Sequence, residues 1–188
     1  PLNAQISTVR SLKSSGELLR RFINTDQSWN FLLGKIMRDG LSMAINYQQY
    51  RDAQIKSGAL FQDFVTEICA SHANLIIQIY SSKEFQWNIG ESRQGIEIKF
   101  DDKFATTGNL WIEIAEKARP RDGDYAISGI YRSDNTWLYL IGNYDTIFIF
   151  PKNILQMLHS AERYRVLENN LKTSKGFLLP RADAERYS

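Results

Sequence analysis

The stretch Gly95-Ile96-Glu97-Ile98-Lys99-Phe100-Asp101, followed after a short loop by Gly108-Asn109-Leu110-Trp111-Ile112-Glu113-Ile114-Ala115, decides how the rest of the chain is read. Both segments are rich in β-branched and aromatic residues and alternate apolar with polar positions, the signature of strands. Side chains of a strand point alternately to its two faces, so Glu97, Lys99 and Asp101 share one face and Ile96, Ile98 and Phe100 the other. The second segment divides in the same way into Glu113, Ala115 and Lys117 against Leu110, Ile112 and Ile114. Two adjacent strands then offer acids from their polar faces. If those strands pair, Glu97 and Glu113 come close enough for one divalent cation to sit between them.

Working outward, residues 75–80, 85–89, 137–141 and 146–150 carry the same strand composition, separated by turn residues. Trp87, Trp111 and Trp137 fall on these strands and are expected to pack in the core or on a sheet face. Pro151 stands where a first helical position belongs, and Ile154, Leu155 and Leu158 mark a helix to about residue 165. Upstream, residues 1–56 read as helical, with Trp29, Leu32, Leu33, Ile36 and Met37 on one face behind Asp26 as a cap, and Gly40 ending that helix. A further helix over 57–71 carries the stripe Leu60, Phe61, Phe64, Val65, Ile68 and Cys69, with Glu67 at its edge. Helices, then several strands, then strand and helix predict an α+β fold: a central mixed β-sheet flanked by helices, with an N-terminal helical region. No linker divides the chain, so residues 1–188 are expected to form a single domain, with a helical region at 1–56, a core at 57–165 and a C-terminal tail at 166–188.

A length of 188 residues suits one core of ordinary size, and 43% apolar residues are enough to fill it. The 23 basic against 21 acidic residues, a net charge of +2, exclude a disordered polyelectrolyte or a bulk nucleic-acid coat. Any nucleic-acid surface must be a local patch. The distribution is uneven: the first sixty residues carry an excess of bases, the next sixty an excess of acids, and the remainder a near balance. An acidic centre with basic shoulders suits a metal site beside phosphate-binding groups. Cys69, the single cysteine, excludes an internal disulfide framework and a multi-cysteine zinc site, and fits a reducing compartment. No apolar run reaches the roughly 18 residues of a membrane span, and residues 1–10 lack the grammar of a signal peptide. The expectation is a cytoplasmic, intracellular protein with no membrane partner.

Two carboxylates forced together repel unless a cation or a shared proton relieves them. Hard oxygen ligands select Mg²⁺, with Mn²⁺ as a substitute. Such an ion can accept a phosphate oxygen and lower the pKa of a bound water, while a nearby lysine stabilises the developing charge. Metal-assisted phosphodiester hydrolysis needs this combination. His72 and His159 are too few and too far apart for a metal triad, and the chain has no phosphate-cradling Gly-Lys-Ser/Thr loop, dinucleotide glycine fingerprint or serine elbow.

Gly95-Ile96-Glu97, followed sixteen positions later by Glu113 within Ile112-Glu113, resembles the PD-(D/E)xK nuclease superfamily, which includes restriction endonucleases and junction resolvases. The likeness covers roughly residues 57–150. It implies a restriction-endonuclease-like core that binds Mg²⁺, in which Glu97 is the first acid, Glu113 the second, and Glu67 the assisting glutamate of the preceding helix. Two departures stand out. Glu97 replaces the usual Asp, and Ala115 occupies the lysine slot. Lys99 lies on the face of Glu97 about 7 Å along the strand, whereas Lys117 is roughly 13 Å from Glu113 if that strand stays extended. In a second register Glu97-Ile98-Lys99 is itself the acid-x-lysine, and Glu84 or Glu91 supplies the first acid.

The resemblance implies a Mg²⁺-dependent endodeoxyribonuclease acting on duplex DNA, of restriction type, with Glu97, Lys99, Glu113 and Glu67 catalytic and a homodimer cutting both strands. Arg119, Arg121 and Arg132, soon after the second acid, and Lys35 and Arg38 in the N-terminal helices, are the expected DNA-binding residues. The alternative is a non-catalytic DNA-binding or assembly protein that keeps a nuclease-like fold, with Ala115 as its support.

Overall fold

A computed structural model of the protein describes residues 47–188, with side chains from Asp52 onward. The expected helices up to Gly40, and the candidates Lys35 and Arg38, lie outside the described residues. The chain divides into two compact units, Pro1–Leu60 and Phe61–Ser188. The described part of the first is the start of a helix; the second carries every strand among the described residues.

The expected helix over 57–71 is part of a longer one, α1 (Tyr47–Ala73). Nothing in its sequence interrupts it before Asn74, which takes a left-handed φ of 51°, a conformation that ends helices. Segment 75–80 forms only an isolated bridge, Ile79 to Ser92. Segment 85–89, expected as a strand, belongs instead to the short helix α2 (Lys83–Asn88), whose first turn holds Glu84. Phe85, Trp87 and Ile89 imitate strand alternation, but no neighbouring strand pairs with them, and Phe85 and Trp87 are exposed. Trp137 is exposed as well, just before a strand, whereas Trp111 is part-buried on the face of a strand.

Alongside further strands that were not expected, the other four expected strands fall where the period-two pattern placed them. They are β1 (Ile96–Phe100), β2 (Asn109–Glu116) after the one-turn helix α3 (Phe104–Thr107), β4 (Leu138–Gly142) and β5 (Ile147–Pro151), with the two-residue β3 (Ala126–Ile127) between. Helix α4 (Lys152–Ser160) starts directly after Pro151. Beyond it come β6 (Val166–Glu168), β7 (Ser174–Pro180) and α5 (Arg181–Tyr187). The segment expected as a tail is thus structural: Phe177 and Leu179 are fully buried.

The fold is α+β, as expected, but the strands form two sheets. One is mixed and three-stranded, in the order β1-β4-β5, with β1 parallel to β4 and β5 antiparallel to it. The other is antiparallel and four-stranded, in the order β3-β2-β7-β6. Leu110 and Ile112 of β2, Phe177 and Leu179 of β7, Tyr139 and Ile141 of β4, and Phe148 and Phe150 of β5 share one core with Leu155 and Leu158 of α4. Ile96, Ile98 and Leu140 face the opposite way, onto Phe61 and Val65 of α1 and Ile77. Each residue of β1 is therefore assigned a side by alternation, and Glu97 and Lys99 lie on the side opposite α1. Among the described residues no helix is long and apolar enough to cross a membrane.

Candidate active site

Glu97 is set opposite Tyr139 in the β1–β4 register, and its side chain is almost wholly shielded from water, at 1% exposure. A carboxylate in such a place is costly unless its charge is answered. Here Lys99 Nζ lies 2.7 Å from Oε1, Arg132 Nη2 lies 3.5 Å from Oε2, and the Thr136 hydroxyl donates to Oε2 at 3.4 Å. Burial opposes ionisation of Glu97, yet Lys99 and Arg132 outweigh it and hold the carboxyl below its ordinary pKa. Lys99 is raised in turn, chiefly by Glu97 and against its own desolvation, with Glu113 and Glu91 adding to the effect. The lysine side chain remains 43% exposed, so the pair opens to solvent at its cationic end.

β1 and β2 do not pair, contrary to the arrangement that would have set the two glutamates on neighbouring strands. β1 takes β4 as its neighbour, and β2 lies between β3 and β7. A bulge between Glu113 and Ala115 also breaks the alternation expected from Glu113 through Lys117. Glu113 is half-buried, its two oxygens accepting hydrogen bonds from Ser128 Oγ at 2.8 Å and Ser174 Oγ at 2.7 Å. The main chain of Glu113 is abutted by Gly129, which sits at φ 53° with no room for a Cβ: one would fall 2.1 Å from the Glu113 carbonyl oxygen. The Tyr139 hydroxyl donates to the Gly129 carbonyl at 2.8 Å. Through that turn the two glutamate-bearing regions are tied together without strand pairing, and Glu113 acts electrostatically on Lys99.

Of the two candidates for a first acid in the second register, Glu84 and Glu91, the structure brings in Glu91. Its Oε1 accepts the Ile98 backbone N–H at 2.7 Å, capping the free edge of β1. Burial pushes its pKa up, opposed by Lys99 and reinforced by Glu97. Glu116 is also raised, by burial first and then by Glu113. Glu67 and Glu84 are exposed, on α1 and α2, and neither is among the charges acting on Glu91, Glu97 or Lys99. Lys117 donates to the Asp122 carbonyl at 2.8 Å and lies over the Tyr125 ring, so its ammonium is engaged in the turn after β2. Lys99 is the lysine beside the acids.

Arg119 and Arg121 are exposed in that same turn. Arg132 is different: its side chain is 22% exposed, its Nε donates to Asp134 Oδ2 at 2.5 Å, and its Nη2 faces Glu97. The Asp134 side chain is fully buried and also accepts from Lys152 Nζ at 3.1 Å and from the Thr136 N–H at 3.0 Å. From sequence, Ser133-Asp134-Asn135 is turn chemistry, and Lys152, Thr136, Ser128 and Ser174 carry no signal of a role. Only the spacing of Arg132 and Asp134, two apart, is local enough to be seen there.

Among the described residues no three or more His, Cys, Asp or Glu side chains are grouped to hold a metal ion. Mg²⁺ does not require three, because it keeps several waters and is bound through one or two carboxylates together with substrate phosphate oxygens. The hard oxygens of Glu97 and Glu113 are donors of that kind, and Glu97 Oε1 and both Glu113 oxygens each retain a lone pair beyond their present contact. The fold and this cluster define an α+β protein with a buried, lysine-paired carboxylate between its two sheets. No protein-family model, curated protein or solved structure matches the chain.

Proposed function

We propose that the protein is a Mg²⁺-dependent endonuclease that hydrolyses phosphodiester bonds of duplex DNA, of the PD-(D/E)xK kind. The observation that carries this reading is the buried Glu97 carboxylate paired at 2.7 Å with Lys99, an ammonium on which Glu113 and Glu91 also act electrostatically. Glu97 and Glu113 would hold the ion, Mg²⁺ or Mn²⁺, which when bound supplies Lewis acidity and an acidified water. Lys99, paired to Glu97 and open to solvent, orients a phosphate oxygen and offsets charge that develops on it. Glu91 fixes the β1 backbone between these two residues. Arg119 and Arg121, exposed in the turn after β2, contact backbone phosphates beside the cut. Two copies related by two-fold symmetry would cut both strands.

The test is incubation with supercoiled plasmid in Mg²⁺, in Mn²⁺ and in chelator. Nicking or linearisation that needs the metal and is lost in Glu97→Gln supports the reading; cleavage that survives in that variant overturns the assignment. One observation favours a second reading, a non-catalytic DNA-binding or assembly protein: both oxygens of Glu113 are satisfied by serine hydroxyls, and Ala115 stands in the lysine slot. That reading expects DNA to be bound but never cut, with Glu97→Ala leaving the affinity unchanged.

A further inference from the structure

We infer that Asp134, backed by Lys152, is a positioning residue that presents the Arg132 guanidinium to a backbone phosphate of the nucleic acid beside Glu97. The inference rests on the nuclease reading and deepens it.

Arg132 is fixed at both its side chain and its main chain. Asp134 takes Nε at 2.5 Å, while Lys152 Nζ donates to the Arg132 carbonyl at 2.6 Å and to Asp134 Oδ1 at 3.1 Å. Lys152 is itself held, its N–H bonding to the Trp137 carbonyl at 2.8 Å. The Asp134 side chain is wholly buried and that of Lys152 nearly so, at 0% and 13% exposure, so this clamp does not fluctuate in solvent as a surface pair does. Guanidinium carries five N–H donors in a planar fork. The clamp uses the one on Nε. Among the described residues the ionic contact of the terminal nitrogens is Nη2 to Glu97 at 3.5 Å. That is well outside the roughly 2.7–2.9 Å of a closed charge-assisted bond.

A salt bridge serving stability alone gains little over apolar packing once buried. It also has no reason to hold one end of the arginine tightly and leave the other loose. The loose end is the part-exposed one, and it points at the carboxylate to which the metal role is assigned. A phosphate diester fits the open side of the guanidinium, whose fork can hold two of its oxygens at once.

The experiment is a double-substitution cycle on the full chain. Arg132→Gln, Asp134→Asn and the pair together are compared with the unsubstituted protein by anisotropy of a short labelled duplex in chelator, over a range of salt. Thermal melting and plasmid-cleavage kinetics in Mg²⁺ are measured alongside. Each single change is expected to weaken binding about tenfold and flatten the salt slope by about one phosphate contact, raising KM more than it lowers kcat. The pair is expected to bind no worse than Arg132→Gln alone, because Asp134 acts through Arg132. Arg132→Lys, which keeps the charge beside Asp134 but loses the fork, should hold its melting temperature and still lose affinity.

If Asp134→Asn weakens binding by the same factor in the Arg132→Gln background as in the unsubstituted protein, or leaves binding untouched, Asp134 is only structural and the inference fails. Unaltered binding by Arg132→Lys sinks it as well. If the unsubstituted protein neither binds nor cuts DNA, the nuclease reading itself falls and takes this inference with it. A protein that binds and cuts but shows an additive cycle loses this inference alone.

Discussion

Lys99 and Glu97 lie two residues apart on one strand, with the ammonium 2.7 Å from the carboxylate, and the acid is buried while the base reaches solvent. The pair is asymmetric, so its two members fail differently. Lys99→Met leaves a carboxylate in the interior with only the looser contacts to Arg132 and Thr136. Breaking a buried pair costs about 3–5 kcal/mol. Solvent reaches Lys99, so the expected loss is smaller, about 1–2 kcal/mol. Denaturant unfolding measures it, and a variant as stable as the parent would show that water already serves Glu97. On the nuclease reading the same change lowers kcat by about a hundredfold or more, since a charge aimed at the reacting phosphate is gone.

Acid should unfold the protein partly through Asp134. Burial opposes its ionisation, but the Arg132 hydrogen bond, the Thr136 N–H and Lys152 prevail and hold its pKa below the ordinary value. A carboxylate depressed in the folded state contributes stability above its unfolded pKa of about 3.9 and loses it as pH falls through the folded value. Asp134→Asn should therefore melt below the parent at neutral pH, with the gap closing below about pH 4. A gap of constant size from neutral to strongly acidic pH would show that the carboxylate's charge plays no part.

Gly129 gives a sharper test of how Glu113 is held. With φ at 53°, a Cβ at this position would lie 2.1 Å from the Glu113 carbonyl oxygen, so an alanine has nowhere to go without moving β2 or the turn. Backbone strain of this sort costs about 1–3 kcal/mol. Gly129→Ala should lower the melting temperature. It should also disturb the Tyr139 hydrogen bond to the same residue, seen as a change in tyrosine fluorescence.

How far the molecule can be read from its sequence follows the range of each interaction. β1, β2, β4 and β5 are legible because period-two alternation and β-branching are local properties, and Glu97 with Lys99 is legible because residues two apart on a strand share a face. The same rule misleads at Phe85, Trp87 and Ile89, where alternation occurs without a strand to pair with. Sheet partners are out of reach: Trp111 is set opposite Leu178, and Glu113 takes its hydroxyls from Ser128 and Ser174, both distant in the chain. The bulge after Glu113, which breaks the alternation expected to run on to Lys117, leaves no mark in composition. Lys152 and Asp134 come from separate elements, and nothing local announces that they meet.

β7 shows what the last twenty-odd residues contribute. Phe177 is fully buried and stacks with both His159, at 5.7 Å between ring centroids, and Tyr164, at 5.4 Å. Phe177→Ala should cost about 3–5 kcal/mol, the range for a large aromatic removed from a packed core. A stop before residue 166 should leave β2 with an unpaired edge and abolish the cooperative transition. A truncated chain that still melts sharply would mean that the two sheets do not share one core.

Metal binding separates the proposed site from a network of internal salt bridges. Glu91, Glu97 and Glu113 all act on Lys99, and Glu97 raises the cost of ionising Glu91. A divalent ion that settles on Glu97 and Glu113 relieves part of that repulsion in the folded state and finds no such site in the unfolded chain. Mg²⁺ at a hundred times its dissociation constant should then stabilise the protein by about 2.7 kcal/mol. Ca²⁺, another hard cation, should do the same. Glu97→Gln keeps the shape of the side chain and removes the charge, so it should abolish the shift while retaining a cooperative melt. Chelator should return the unsubstituted protein to its metal-free melting temperature. A melting temperature indifferent to Mg²⁺ would mean that Lys99 and Arg132 already answer Glu97 in full, and that this carboxylate serves the fold alone.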